Sequence, residues 1–248
     1  MEDRKIRVSA LVVSWLWLFC SSMLVLTVDS QVPIPPRYDG FLYKHKYLSL
    51  DSIIVEAFFD PICPDSRDAW PPLKKALHDY SHHVSLIVHP FALPYHDNSF
   101  VSCRALHIAD TLNSSTTYPL LETFFKHQEK FYNNPTFHKS RESIVKEIVK
   151  LAAKVVGNFS ALESGFENSS SRTKAIISFK YGCSRGVTGT PFFFVNGMPL
   201  SESGSALNYS DWRRTIDPLL GAHSGRKLLT PVSPLDSIST ENPVHAYV

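Results

Sequence analysis

Short, continuously apolar runs alternate along this chain with longer stretches of helical period. Ser52 to Phe59 (Ser-Ile-Ile-Val-Glu-Ala-Phe-Phe) is apolar over most of its length and β-branched at its start. That is the pattern of a strand covered on both faces. Asp60-Pro61 ends it. From Pro64 the period becomes helical, with Trp70, Leu73, Leu77 and Tyr80 on one face. Pro71-Pro72 predict a kink or a break in that helix. Val84 to Val88 reads as the next strand, stopped by Pro90 and Pro94. Strand, helix and strand joined by short loops make a βαβ unit.

Residues 98 to 182 then read as helices. Ser99 to Leu112, Pro119 to Tyr132 and Arg141 to Val156 carry apolar stripes, and Ser170 to Tyr181 is a weaker fourth segment. Gly157 and Gly182 stand at two of their ends as stop signals. The sheet pattern resumes at Pro191 to Val195, turns at Asn196-Gly197, and returns through Met198 to Leu200. A last helix is expected over Asp211 to Leu220. Residues 221 to 248 are rich in Pro and Ser without a period, and predict a disordered tail. Residues 31 to 50 form a lead-in that includes the proline-rich segment Val32 to Pro36. The whole reads as one compound α/β domain over residues 51 to 220.

Two features place this domain outside the cytosol. Residues 1 to 30 have the form of a signal peptide, with Arg4-Lys5-Ile6-Arg7 ahead of an apolar run from Val8 to Val28. Val28 and Ser30 supply small side chains before Gln31. An uncleaved anchor is the alternative, since the run has the length of a membrane span. Asn113, Asn158, Asn168 and Asn208 all head N-glycosylation sequons, whereas Asn134-Pro-Thr is blocked by its proline. The expected location is the secretory pathway, in the endoplasmic reticulum lumen or outside the cell, with no membrane attachment after cleavage. Charge is nearly balanced, with 25 Lys plus Arg against 23 Asp plus Glu, and gives no support to a nucleic-acid partner.

The chemistry centres on Phe58-Phe59-Asp60-Pro61-Ile62-Cys63-Pro64-Asp65-Ser66. A cysteine after a buried strand, followed by Pro at the first helical position, sits at a helix N-terminus. Unpaired amides and the helix dipole there favour a thiolate. Asp60, Asp65 and Asp68 oppose that dipole, with Arg67 in partial compensation. A second segment, Gly189-Thr190-Pro191-Phe192-Phe193-Phe194, starts a strand with a candidate cis proline.

Together the two segments resemble the DsbA-like branch of the thioredoxin superfamily, which carries C-P-x-C after its first core strand and a distant cis-proline loop. The resemblance covers residues 50 to 220. It implies a thioredoxin-like fold with an inserted helical subdomain at about 98 to 182. It matches Cys63 to the attacking cysteine, Ser66 to the resolving position, and Thr190-Pro191 to the loop that pairs with an extended peptide. It also implies thiol–disulfide exchange on cysteine-containing or extended polypeptides, without a bound cofactor. Ser66 departs from the pattern, because no disulfide can form within the motif. A mixed disulfide through Cys63 remains, with glutathione as a candidate co-substrate.

Two other readings stand beside this one. The scaffold could serve as a catalytically inactive peptide- or protein-binding module. A remoter alternative is a glutathione-dependent transferase or isomerase. Cys103 and Cys183, on the first and last helices of the insertion, are expected to form a structural disulfide contributing about 4 kcal/mol on the loop-entropy model. The alternative is two buried small hydrophobes. The histidines, His78, His82, His83, His89 and His96 among them, lack metal-ligand spacing and read as solvated or capping groups.

Overall fold

The computed structural model describes residues 34–35, 37–44, 52–201 and 204–224. The segment expected to be a signal peptide, and the chain from residue 225 onward expected to be a tail, lie outside the described residues.

The centre of the molecule is a five-stranded sheet in the order β1-β3-β2-β4-β5. Its strands are β1 (Phe41–Leu42), β2 (Ile53–Phe59), β3 (Val84–Pro90), β4 (Phe192–Val195) and β5 (Met198–Pro199). β2 and β3 run parallel and are joined by α1 (Pro64–Asp79), so the βαβ unit forms as its pattern predicts. β4 pairs antiparallel with the other side of β2, placing Phe58 opposite Phe192. The Asn196-Gly197 turn has φ of 49° and 81°, the left-handed values that a two-residue hairpin of this kind needs.

Between β3 and β4 lies the helical insertion: α2 (Ser99–Asn113), α3 (Thr117–His127), α4 (Arg141–Val156), α5 (Phe159–Glu167) and α6 (Ser169–Ser184). The closing helix α7 spans Tyr209–Ser224 and so enters the segment expected to be a tail. Three other expectations change. α1 is not broken at Pro71 and Pro72 but continues through both, with Ala69, Trp70, Leu73 and Ala76 buried. Gly182 is not a stop signal but lies inside α6. A Cβ there would stand 2.5 Å from the Phe91 ring, so only glycine permits this packing. β1 and α5 are additional elements, too short or too weakly patterned to read from the sequence.

β2 is covered on both faces, and its two faces differ. Ile53, Val55, Ala57 and Phe59 join the main core with Trp70 and Leu73 of α1, Phe193 and Trp212. Glu56 and Phe58 face α6 instead. There Glu56 accepts hydrogen bonds from the hydroxyls of Tyr38 (2.6 Å) and Tyr181 (2.9 Å), and Arg185 lies 3.2 Å away. His89 of β3 is fully buried between Asp39 (2.9 Å) and Glu56 (3.4 Å). It is therefore a core ion-pair partner, not a solvated histidine.

Burial alone would push the Glu56 carboxyl up. The His89 ring at 3.4 Å, hydrogen bonds from Tyr38 and Tyr181 and the charge of Arg185 outweigh it and hold the group at about 2. The folded value lies below the ordinary 4.5, so this stabilisation is complete above that pH and is lost as pH falls toward 2. Glu56→Gln removes the anion shared by His89 and Arg185 and should cost about 3 kcal/mol at pH 6. Thermal unfolding should also show a shallower acid limb below pH 4.5 in the variant than in the natural chain. Parallel acid limbs would contradict this account.

Candidate functional site

The C-terminal end of β2 carries the site. Asp60 is fully buried just beyond the strand, and its carboxylate makes three contacts. Oδ1 accepts the Ile62 amide at 2.9 Å, while Oδ2 accepts the Leu93 amide at 3.3 Å and lies 2.8 Å from His96 Nδ1. The first is an Asx turn, which Asp before Pro favours. The Asp60 carbonyl also accepts the Cys63 amide at 3.1 Å. One residue thus shapes the turn that presents Cys63 and ties it to the loop after β3.

Cys63 is the N-cap of α1 with extended backbone and no side-chain capping bond, and Pro64 follows at the first helical position. Its carbonyl accepts the first helical bond from Arg67 and a second bond from Gln128 Nε2 at 3.3 Å. The side chain is 3% exposed and packs with Phe58, Phe91, Leu93 and Val187. Its Sγ lies 3.5 Å from the Thr190 carbonyl, toward which the thiol donates. The Thr190-Pro191 bond is cis. The structure therefore joins Cys63, Thr190 and Pro191 as the motif implied.

Ser66 lies one turn along α1 and is completely buried. Its hydroxyl accepts the Asp60 amide at 3.2 Å, closing the ring of bonds around the motif. Of the charges expected to oppose the helix dipole, Asp68 lies 2.8 Å from Arg67, and the Asp60 carboxylate is held by two amides and the His96 ring. His96 and Gln128 are the site residues that sequence reasoning missed, since neither belongs to a local motif.

Cys103 and Cys183 are separate thiols, which corrects the expected bridge. Cys103 is buried on the core side of α2, and burial, with the charge of Asp60 added, pushes its thiol up. Cys183 lies exposed near the end of α6. The two helices pack together, but these side chains occupy opposite environments. The four sequon asparagines are all exposed, Asn158, Asn168 and Asn208 at the starts of α5, α6 and α7, and Asn113 at the end of α2, where it caps the short 3-10 turn Ser114–Thr116. Asn113, Asn158, Asn168 and Asn208 accept the amides of Ser115, Ala161, Ser170 and Asp211 through Oδ1 at 2.8–3.1 Å.

A helix-terminal thiol facing a cis-proline loop across a mixed sheet defines the DsbA-like class of thioredoxin fold. A family model described as thioredoxin matches residues 52–218, and the chain belongs to that family. No curated protein matches the sequence. Among solved structures, it is similar to a putative protein-disulfide isomerase from Pseudomonas syringae, with 23% identity and a TM-score of 0.59 over 66% of this chain and 93% of that one. The thiol-disulfide exchange protein alpha-DsbA2 from Wolbachia pipientis gives 16% and 0.56 over 73% and 87%. The catalytic domain of Proteus mirabilis ScsC gives 17% and 0.52 over 70% and 86%. At these identities the likeness is one of fold. Among the described residues, no helix is long and apolar enough to cross a membrane.

Thiol titration of the chain from Gln31 onward, unfolded without reductant, should therefore find three reactive groups, at Cys63, Cys103 and Cys183. A single group would restore the bridge.

Proposed function

We propose that this chain is an exported, N-glycosylated thiol–disulfide oxidoreductase or isomerase that acts through Cys63 alone. Its partners are cysteine-containing or extended polypeptides, and glutathione serves as co-substrate rather than as a bound cofactor. One observation carries the reading: Cys63 caps α1 with its thiol against the Thr190 carbonyl beside a cis proline. That arrangement sets a nucleophile at a helix N-terminus next to backbone that an extended peptide can pair with. Family membership supports the exchange chemistry, which reaches this chain at family level.

The serine restricts how the reaction can close. A Cys63 mixed disulfide has no second sulfur in the motif to displace it, so an external thiol must do so. Cys63→Ser should abolish glutathionylation at the motif of the folded chain, leaving only what the exposed Cys183 takes up. Ser66→Cys should form a reducible bridge to Cys63 and gain dithiol oxidase activity, with a stability loss of about 1 kcal/mol as sulfur replaces the hydroxyl acceptor for Asp60. The measurement is oxidative refolding of a reduced test protein. Negligible rates despite a formed bridge would favour the binding-module reading.

Export and glycosylation rest on the leader and the four sequons. Each sequon asparagine commits Oδ1 to a helix start, so a glycan on Nδ2 is compatible with the cap. In material from a secretory host, Asn158→Asp and Asn158→Gln should each lose one enzymatically removable glycan. Aspartate keeps the cap of α5, whereas Asn158→Gln should be less stable by about 1 kcal/mol. Equal melting temperatures, or no mobility change on glycan removal, would contradict this.

A further inference from the structure

A cavity lies beside one of the sequon asparagines. It opens between α2, α5 and the start of α6, holds about 310 Å³, and has Asn168 in its wall. Ile108, Leu112, Ala161 and Gly165 form its apolar part, and none of its lining residues carries a charge. Ile108 is buried, whereas Leu112, one turn along α2, is 42% exposed and leaves a large apolar surface open. Gly165 lets α5 come close to this floor, since a Cβ there would stand 2.5 Å from Ile108 Cγ2. Ser164 and Ser170 also line the cavity, and among the described residues no hydrogen bond engages their hydroxyls.

Asn168 joins two helices and is held from both. Its backbone N–H donates to the Ser164 carbonyl at 3.1 Å as α5 ends, and its Oδ1 accepts the Ser170 amide at 2.8 Å as α6 begins. With Oδ1 committed, Nδ2 is the end of the side chain left without a partner among the described residues. Nδ2 is the atom through which an N-glycan is attached. The first sugar of such a glycan is N-acetylglucosamine, a neutral ring with an apolar C–H face, an acetyl methyl and several hydroxyls. The cavity offers the complement of that chemistry: an aliphatic wall, free hydroxyls and no charge. Its volume lies at the low end of small-molecule sites, about 300–1,000 Å³, and suits a ligand of single-ring size. A sugar tethered at the rim binds intramolecularly, so contacts too weak to hold a free sugar suffice.

We propose that the cavity between α2, α5 and α6 seats the first sugar of the chain's own glycan at Asn168, an inference that rests on the glycosylation reading above. The sugar lays its apolar face on Leu112 and Ile108 and exchanges hydrogen bonds with Ser164 and Ser170. Seated so, it covers an exposed leucine and braces the junction of α5 and α6 against α2. This glycan is then a structural part of the helical insertion. Asn208, at the start of α7, lies outside this cavity, and its glycan is the internal comparison.

Chains from a secretory host would be trimmed enzymatically to one sugar per sequon, and the same chains made in a host that adds no N-glycans. Asn168→Asp and Asn208→Asp each remove one sugar, while the carboxylate keeps the helix cap. Subtracting the shift seen in the sugar-free chains isolates what each sugar contributes to the melting temperature. The Asn168 sugar should contribute about 3 °C, the size of a modest gain in a domain of this length, and the Asn208 sugar nothing measurable. In a Leu112→Ser background the Asn168 contribution should disappear although the sugar is still attached. Equal contributions from the two sugars, or an Asn168 contribution that survives Leu112→Ser, would overturn the seat. Mass spectrometry of the glycopeptides separates the two levels of the inference. Asn168 bare while other sequons are occupied removes the seat alone, whereas four bare sequons sink the glycosylation reading itself.

Discussion

The register between β2 and β4 brings this site together. Phe58 opposite Phe192 is a pairing between strands separated by the whole helical insertion, and it carries Thr190-Pro191 to the same end of the sheet as Cys63. β2 can serve both neighbours because it is buried on both faces and bonded along both edges, parallel to β3 and antiparallel to β4. Its last turn therefore projects from a rigid base, and the thiol reaches the Thr190 carbonyl at 3.5 Å. A one-residue slip would turn Phe58 and Glu56 into the aliphatic core and move the proline loop away from the thiol.

Burial in this strand brings charged groups with it, and each is matched. Glu56 faces α6, where two tyrosines, His89 and Arg185 converge on it. Asp60 collects two amides and an imidazole. Such groups are costly to bury when unpaired, and satisfied networks define one arrangement of their surroundings. The first network joins the N-terminal segment at Tyr38 and Asp39 to the sheet. The second couples the Cys63 turn to the loop after β3, so the geometry of the thiol depends on a contact thirty-odd residues away in sequence.

Serine at the resolving position acquires a physical role in this setting. Its hydroxyl accepts the amide at the strand end, a bond that a thiol would make weakly. Where the resembled pattern has a second cysteine, this motif holds a structural hydrogen bond, and no disulfide can form within it.

Much of the fold and part of the site were legible in the residues themselves. The apolar run before Asp60, the stripe of Arg141 to Val156 and the Asn196-Gly197 turn follow from short-range rules, and they appear in the structure. Cys63 before Pro64 at a helix start, and Thr190 before a strand-opening proline, are local patterns of the same kind. What only the tertiary structure decided involves partners distant in the chain. Gly182 looks like a stop signal until Phe91 is seen against it, and Cys103 and Cys183 look like a bridge until one is buried and the other exposed. His89 and His96 read as solvated because nothing nearby in sequence shows Glu56, Asp39 or Asp60 beside them. The physical reason is common to all: propensity and periodicity report on backbone and face, whereas a side chain's charge, pairing and reactivity are set by groups that the sheet register brings against it.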